Sequence, residues 1–227
     1  FKILHKYCKK INIKFLSSAF DIKSLHFVNS LKPDFFKVAS GEIDNLPLLK
    51  EMAKFKKKII LSTGMSSLNQ IDRTFNFLMK NGIPASKIII LHCNTDYPTP
   101  INDVNLNVLK AFKKKFKTDV GYSDHTLGIE VSIAAVALGA KIIEKHFTLN
   151  KNMSGPDHKA SLNPVELKKL IIKIRKIEKI KGLNIKKAYK SEIKNISIAR
   201  KSLIAGKDIK FGNMFTKINL TSKRPGT

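Results

Sequence analysis

The chain has 227 residues, 43% hydrophobic and 26% charged, a composition that supports a packed core and excludes disorder over most of its length. No apolar run reaches the roughly 18 residues that span a bilayer; the longest candidate, Val131 to Ile143, is interrupted by Ser132, Gly139 and Lys141. The formal net charge of +26 points to anionic partners, but only four of the 43 basic residues are Arg and the lysines are scattered, which counts against nucleic-acid readout.

Six short segments share one pattern, a β-branched or aromatic run that ends in small or polar residues. The first is Lys14–Phe20 and the second Asp34–Gly41. Lys58–Met65 follows, and Ser67-Leu-Asn-Gln70 after it reads as a capping box that opens a helix. Lys87–Asn94 and Asp119–His125 are the fourth and fifth runs. Ile129 to Leu138 reads as an apolar, alanine-rich helix closed by Gly139. The sixth run is Lys141–Thr148. Asn163-Pro164-Val-Glu166 then starts a helix with a cap residue, proline at the first position and glutamate at the third. Leu167, Leu170, Ile171, Ile174 and Ile177 fall on one stripe of that helix, with lysines opposite.

The runs start about 20 to 30 residues apart, one strand–helix unit each. Continuous apolar runs mark strands covered on both faces, as in a parallel sheet. The expected fold is α/β, a (β/α)8 TIM-type barrel. Six strands are counted where eight are needed, so the first two units are expected to lie ahead of Phe1. An open doubly wound sheet is the alternative, although no GxGxxG fingerprint appears. The barrel is expected over residues 1–182, a basic linker over 183–190 and the start of a small β-rich domain over 191–227. The short runs SLIAGKDI, FGNMFT and INLTSK of that last segment hold no long helical stripe. Phe1 is not an initiator and no signal-peptide pattern follows it, so the chain reads as incomplete. Cys8 and Cys93 are too few for a disulfide scaffold and fit a reducing, cytoplasmic setting.

A barrel of this type carries its chemistry at the C-terminal ends of its strands. Those ends supply Ser17, Ser18, Lys37, Ser40, Glu42, Ser62, Thr63, His92, Thr95, Tyr97, Ser123, Asp124, His125, Glu144 and His146. Hydroxyls and a lysine converging at one mouth suit a phosphate or phosphate ester. Any single serine is as readily a helix cap or a satisfied turn; the collection is not. His125 and His146 end consecutive strands about 4.8 Å apart, within reach of one cation, and a histidine pair with oxygen ligands suits Mn²⁺, Zn²⁺ or Fe²⁺. Glu144, two residues before His146, faces the same side and is placed to ligate or to hold a water beside the metal. His92 has no such partner and reads as a packing residue, and His5 and His26 read as surface residues. In the loop from Asn152 to Ser161, Gly155-Pro156 fixes a turn that presents Asp157 and His158 to the mouth.

The segments KVASGEIDNLPLLK (37–50), ILSTGM (60–65), LHCNTDYPTP (91–100), VGYSDHTLGIE (120–130), IEKHFTLNKNMSGPDHKAS (143–161) and KRPG (223–226) occur in this order. Together they resemble the sialic acid synthase family, which includes N-acetylneuraminate synthase and the related legionaminate, pseudaminate and spore-coat polysaccharide synthases. The resemblance implies a (β/α)8 barrel followed by a small antifreeze-like (SAF) domain. It also implies condensation of phosphoenolpyruvate with N-acetylmannosamine or a similar amino-sugar aldehyde, with a divalent cation, typically Mn²⁺. By the same resemblance Lys37, Ser40, Ser62 and Ser123 match positions that bind phosphoenolpyruvate, with Ser18 and Thr95 matching less closely. His125 and His146 match metal ligands, and Glu42, Tyr97 and Asp157 match the sugar-binding surface. Arg224 matches an arginine that reaches the sugar from the partner subunit of a domain-swapped homodimer. The family's first two strands, which carry a catalytic Glu, have no counterpart here, so the chain as it stands is open to being a non-catalytic truncated product. Two more readings compete: a related phosphoenolpyruvate-dependent synthase acting on another sugar, and a basic nucleic-acid-binding protein, which the lack of aromatic platforms and arginine clusters disfavours.

Overall fold

Valine, isoleucine and phenylalanine crowd the six runs because branched and aromatic side chains fill a pleated surface well, and five of the runs form one sheet. In the computed structural model, which describes residues 1–225, β1 (Phe35–Val38), β2 (Lys58–Ser62), β3 (Ile88–Cys93), β4 (Val120–Asp124) and β5 (Ile142–Lys145) lie side by side in chain order. Every neighbouring pair is parallel. Parallel neighbours need a crossover, and helices supply it. α1 (Lys2–Lys10) and α2 (Ile22–Ser30) precede β1, and α3 (Leu46–Lys54), α4 (Leu68–Lys80), α5 (Val108–Phe116) and α6 (Glu130–Ala137) alternate with the strands. The long α7 (Pro164–Lys181) closes the series. The architecture is α/β and TIM-barrel-like, with a parallel sheet that makes up part of a barrel wall.

The run Lys14–Phe20 is a correction. Residues 13–19 have no regular secondary structure and enter no ladder, and the Ser17 hydroxyl bonds the neighbouring Ser18 carbonyl at 3.2 Å. Composition marks a segment as strand-compatible; only backbone pairing makes it a strand. Among the described residues the parallel sheet has five strands where six are expected.

The helix signals fold as they read. Ser67 and Gln70 form the capping box of α4, each satisfying the other's backbone amide. Asn163 and Glu166 exchange side-chain bonds to backbone amides at 2.9 Å at the start of α7. α6 ends just before Gly139, whose φ of +106° only glycine adopts without strain.

The two faces of the sheet differ. Phe36, Val38, Ile59, Leu61, Ile88, Ile90, Val120 and Tyr122 point to the helices and bury against Leu25, Leu49, Ile71, Phe75, Leu109, Phe112 and Ala135. Each such side chain contributes about 1.5–3 kcal/mol on burial. The alternate residues face the other way: Lys37 on β1, Ile60 and Ser62 on β2, Leu91 and Cys93 on β3, Ser123 on β4 and Glu144 on β5. Apolar residues lie deep on this face and polar ones gather at the C-terminal end.

The chain divides into two units, Phe1–Lys181 and Gly182–Thr227. The second holds α8 (Lys190–Ala199) and an antiparallel pair, β6 (Ser202–Ala205) with β7 (Leu220–Lys223). The helix differs from the expectation of short runs alone over 191–227. Its first turn is fixed by Glu192, whose carboxylate accepts from the Tyr189 amide at 3.0 Å. SLIAGKDI and INLTSK each contribute a strand and FGNMFT contributes none. The last residue of KRPG, Gly226, lies outside the described residues.

Candidate active site

In-register neighbours in a parallel sheet point the same way, so the ladder decides which polar groups meet. Cys93 pairs with Ser123 and Ser123 with Glu144, which puts three mouth-facing groups in one row. Beyond that row, the turn at Ser40, the loop at Thr95 and Tyr97, and His125 and His146, each two residues past its strand's member of the row, surround a cavity of about 380 Å³. Of the expected site residues, Lys37, Ser40, Ser62, Thr95, Tyr97, Ser123, His125, Glu144 and His146 all line it. Glycine at position 64 lets the loop after β2 close on this wall. A Cβ there would meet Thr95 Cγ2 at 2.5 Å and Ser40 Oγ at 2.9 Å, and the Gly64 amide donates to Ser40 Oγ at 3.0 Å.

Polar contacts within the cavity form one chain. Ser123 Oγ donates to Glu144 Oε1 at 2.6 Å, and Glu144 Oε2 lies 3.4 Å from Lys37 Nζ. His125 Nδ1 donates to the Asn94 carbonyl at 2.5 Å; a carbonyl only accepts, so the proton sits on Nδ1 and Nε2 is left bare. That Nε2 is 3.4 Å from Ser123 Oγ. Burial holds the His125 pKa below its ordinary value, and His146 adds to this while the Asn94 carbonyl works against it, so the ring is neutral at neutral pH. Tyr97 stacks on His125 with ring centres 4.1 Å apart and meets His146 edge-on at 5.3 Å. Burial raises the Tyr97 hydroxyl pKa, with Cys93, Asp157 and Glu144 contributing. Ser62 Oγ is buried and, among the described residues, makes no hydrogen bond.

The rings of His125 and His146 are 5.3 Å apart, centre to centre, at 76°. A ring centre sits about 3.2 Å from an ion that its nitrogen ligates, so two rings on one ion lie within about 6.4 Å. The pair is inside that limit, and a bare, neutral Nε2 is the ligating form. Among the described residues no group of three His, Cys, Asp or Glu side chains is gathered for a metal. The residues fit an ion held by two imidazoles, with its other positions open to oxygen from solvent or substrate.

The other expected residues lie apart from this wall. Asp157 is at the rim, its carboxylate 3.7 Å from His146 Nδ1 and half exposed. Glu42 accepts from Asn45 Nδ2 at 2.7 Å, and Ser18 does not line the cavity. Arg224 is exposed in the second unit. His158 bonds Thr148 Oγ1 at 2.7 Å and ties the loop that carries Asp157. Thr63, His92 and Asp124, grouped by sequence with the strand ends, face away from the mouth. Thr63 donates to the Leu91 carbonyl at 2.9 Å, and His92 Nε2 bonds the Val104 carbonyl at 2.9 Å while packing on Phe112 and Tyr122. His5 is half-buried against Phe15, and His26 is exposed beside Glu51. Cys93, read from sequence only for redox setting, lines the cavity 3.3 Å from Ser40 Oγ. Its phase with Leu91 was the available signal.

The sequence profile of the NeuB family matches residues 1–186. The chain is 60% identical over 223 residues to the N,N'-diacetyllegionaminic acid synthase of Campylobacter jejuni, covering 98% of this chain and 66% of that protein. It is 36% identical over 224 residues to the human N-acetylneuraminate-9-phosphate synthase, covering 98% of this chain and 62% of that one. The chain thus spans just under two thirds of the length of these relatives. Among solved structures it superposes on the N-acetylneuraminic acid synthetase of Leptospira borgpetersenii with a TM-score of 0.80 at 36% identity, covering 86% of this chain and 67% of the other.

Proposed function

The chain belongs to the NeuB family, and on that footing we propose that its protein condenses phosphoenolpyruvate with an amino-sugar aldehyde, giving a nine-carbon 2-keto sugar acid and phosphate. The observation that carries the reading is the single cavity lined by Lys37, by the hydroxyls of Ser40, Ser62 and Ser123, and by two imidazoles. Identity of 60% to a diacetyllegionaminic acid synthase, against 36% to an N-acetylneuraminate-9-phosphate synthase, favours an acceptor with two acetamido groups.

Lys37 and the three serine hydroxyls hold the phosphate and carboxylate of phosphoenolpyruvate, each donating to an anionic oxygen. Ser62 Oγ is free to donate. Lys37 and Ser123 are engaged with Glu144 and exchange it for the anion. Carbon 3 of the enol attacks the aldehyde carbon, whose oxygen takes up a proton. Water adds at carbon 2 and loses one proton, for which Glu144 is the placed acceptor; phosphate then leaves with its bridging oxygen and takes up the proton of the carbon 2 hydroxyl, which becomes the ketone. Tyr97 covers His125 and limits water at the mouth. A divalent ion, Mn²⁺ on this reading, would be held by His125 and His146 and would supply Lewis acidity at the aldehyde. Glu42, Asp157, Thr95 and Ser18 belong to the rim that meets the sugar or the anion. The same reading makes the sheet part of an eight-stranded barrel and residues 191–227 part of an antifreeze-like domain. Arg224 then reaches the sugar of a partner subunit in a domain-swapped homodimer, and the setting is the cytoplasm.

The test follows phosphate release from phosphoenolpyruvate with and without mono- and diacetamido hexose aldehydes. Release that depends on the aldehyde, and is fastest with the diacetamido sugar, is expected. Release with no aldehyde would overturn the synthase reading.

A further inference from the structure

Behind the two imidazoles, on the helix-facing side of the sheet, lies a polar cluster that the chemistry above does not use. Asp124 is fully buried and its carboxylate accepts four bonds: from the Thr126 amide (2.9 Å), Thr126 Oγ1 (2.7 Å), Ser132 Oγ on α6 (2.5 Å) and Lys145 Nζ (3.0 Å). Lys145, also buried, donates in addition to the Thr126 carbonyl at 2.5 Å. Thr126 and Ser132 are themselves completely buried. Stability alone gives little reason for such a cluster, because a buried ion pair recovers its desolvation cost poorly and apolar residues of similar size often serve as well. What an ion pair adds is direction and register.

The register locates that direction. Asp124 and Lys145 are ladder partners at the ends of β4 and β5, and the residues that immediately follow the two strands, His125 and His146, both line the mouth cavity. Successive residues of a strand point to opposite faces, so a tie between one pair on the helix side sets the separation of the following pair on the mouth side. His125 is held on both sides, since Asp124 grips the Thr126 amide and hydroxyl while the Thr99 amide donates to the His125 carbonyl at 3.0 Å. We infer that the buried Asp124–Lys145 pair, with Thr126 and Ser132, is a positioning device that fixes the spacing at which His125 and His146 present their rings to the mouth. The inference rests on the reading of those two histidines as the ion-holding pair.

The experiment measures Mn²⁺ affinity by calorimetry, and melting temperature separately, for the purified protein and for Asp124→Asn, Lys145→Met and the double variant. Each single variant leaves a buried group without its partner and loses stability. The double variant is neutral and close in shape, and it regains stability. All three are expected to bind Mn²⁺ about tenfold or more weakly, the size of effect seen when groups behind a metal ligand are removed, when measured well below their melting temperatures. A double variant that recovers both stability and full affinity would overturn the inference and leave the cluster a structural one. Failure of the unsubstituted protein to bind Mn²⁺, or binding that His125→Ala leaves intact, would overturn the ion reading itself and this inference with it.

Discussion

Two lysine–carboxylate pairs sit on opposite faces of one sheet, one joining β4 to β5 and the other joining β1 to β5. On the helix side Lys145 and Asp124 are 3.0 Å apart with side chains 4% and 0% exposed. On the mouth side Lys37 and Glu144 are 3.4 Å apart with side chains 10% and 42% exposed. The first pair has its acceptors filled by backbone and hydroxyl partners, so nothing is left to exchange. The second keeps an open carboxylate and a lysine whose contact is long, which suits groups that trade one another for an incoming anion. Closed pairing holds geometry; open pairing leaves it available for chemistry.

The comparison breaks most sharply at the histidines. His125→Ala or His146→Ala should remove divalent-ion-dependent turnover, a loss of about 4 kcal/mol or more in transition-state stabilisation, roughly a thousandfold in rate. Melting temperature should hardly move for His146→Ala, and should fall by a few degrees at most for His125→Ala, whose buried ring bonds the Asn94 carbonyl and packs on Tyr97. His5→Ala and His26→Ala, away from the cavity, should leave turnover alone. A His125→Ala protein with full ion-dependent activity would show that the open face is not the working one.

Asp124→Ala tests the closed face. It leaves Lys145 buried without its counter-charge, and a loss of about 3–5 kcal/mol in folding stability is expected by denaturant titration. Glu144→Ala on the other face should cost less, under about 1 kcal/mol of stability, since the Glu144 side chain is itself 42% exposed. Equal losses would erase the distinction.

Lys37→Ala should lower kcat/KM for phosphoenolpyruvate by about 2–4 kcal/mol in transition-state terms, the value of one strong electrostatic donor, without lowering the melting temperature in parallel. An effect on the sugar alone would move Lys37 out of the anion site.

The smallest effect concerns pH. His92 packs on the helix side against Phe112 and Tyr122, and burial holds its pKa below the ordinary histidine value, with the Val104 carbonyl acting the other way. A lowered folded-state pKa means that the unfolded chain takes the proton first. The stability from neutral His92 is therefore complete above about pH 6.5 and is lost as pH falls from there through the folded-state value. Melting temperature should drop by a few degrees between pH 7.5 and 5.5, and His92→Gln should flatten that slope. An unchanged slope in the variant would assign the acid sensitivity elsewhere.

Much of this was legible in the residues, and the misses have physical reasons. The capping box at Ser67 and the Asn163-Pro164-Glu166 start are local chemistry and fold without help from the rest of the chain. The mouth set follows from strand ends, yet strand ends alone do not separate it from Thr63, His92 and Asp124, which the two-residue alternation of a strand turns to the helix side. Lys14–Phe20 has strand composition without a partner, and pairing is a tertiary property that composition does not carry. α8 escaped because its few apolar residues draw no continuous stripe and Ile193 and Ile198 are exposed. The pairing of Asp124 with Lys145 needs the register of two strands whose partners are 21 residues apart, which no local pattern encodes.

Along Ser123-Asp124-His125-Thr126 the side chains alternate between the two faces without a break, one serving the mouth and the next the buried cluster. A substitution there damages one face and spares the other. An inserted or deleted residue would do something different: it would exchange the faces, sending the aspartate to the mouth and the imidazole into the core. Over evolutionary time this stretch is therefore free to drift in letters but not in length, and gaps among the family's sequences should fall in the loops beyond it, never within these four residues.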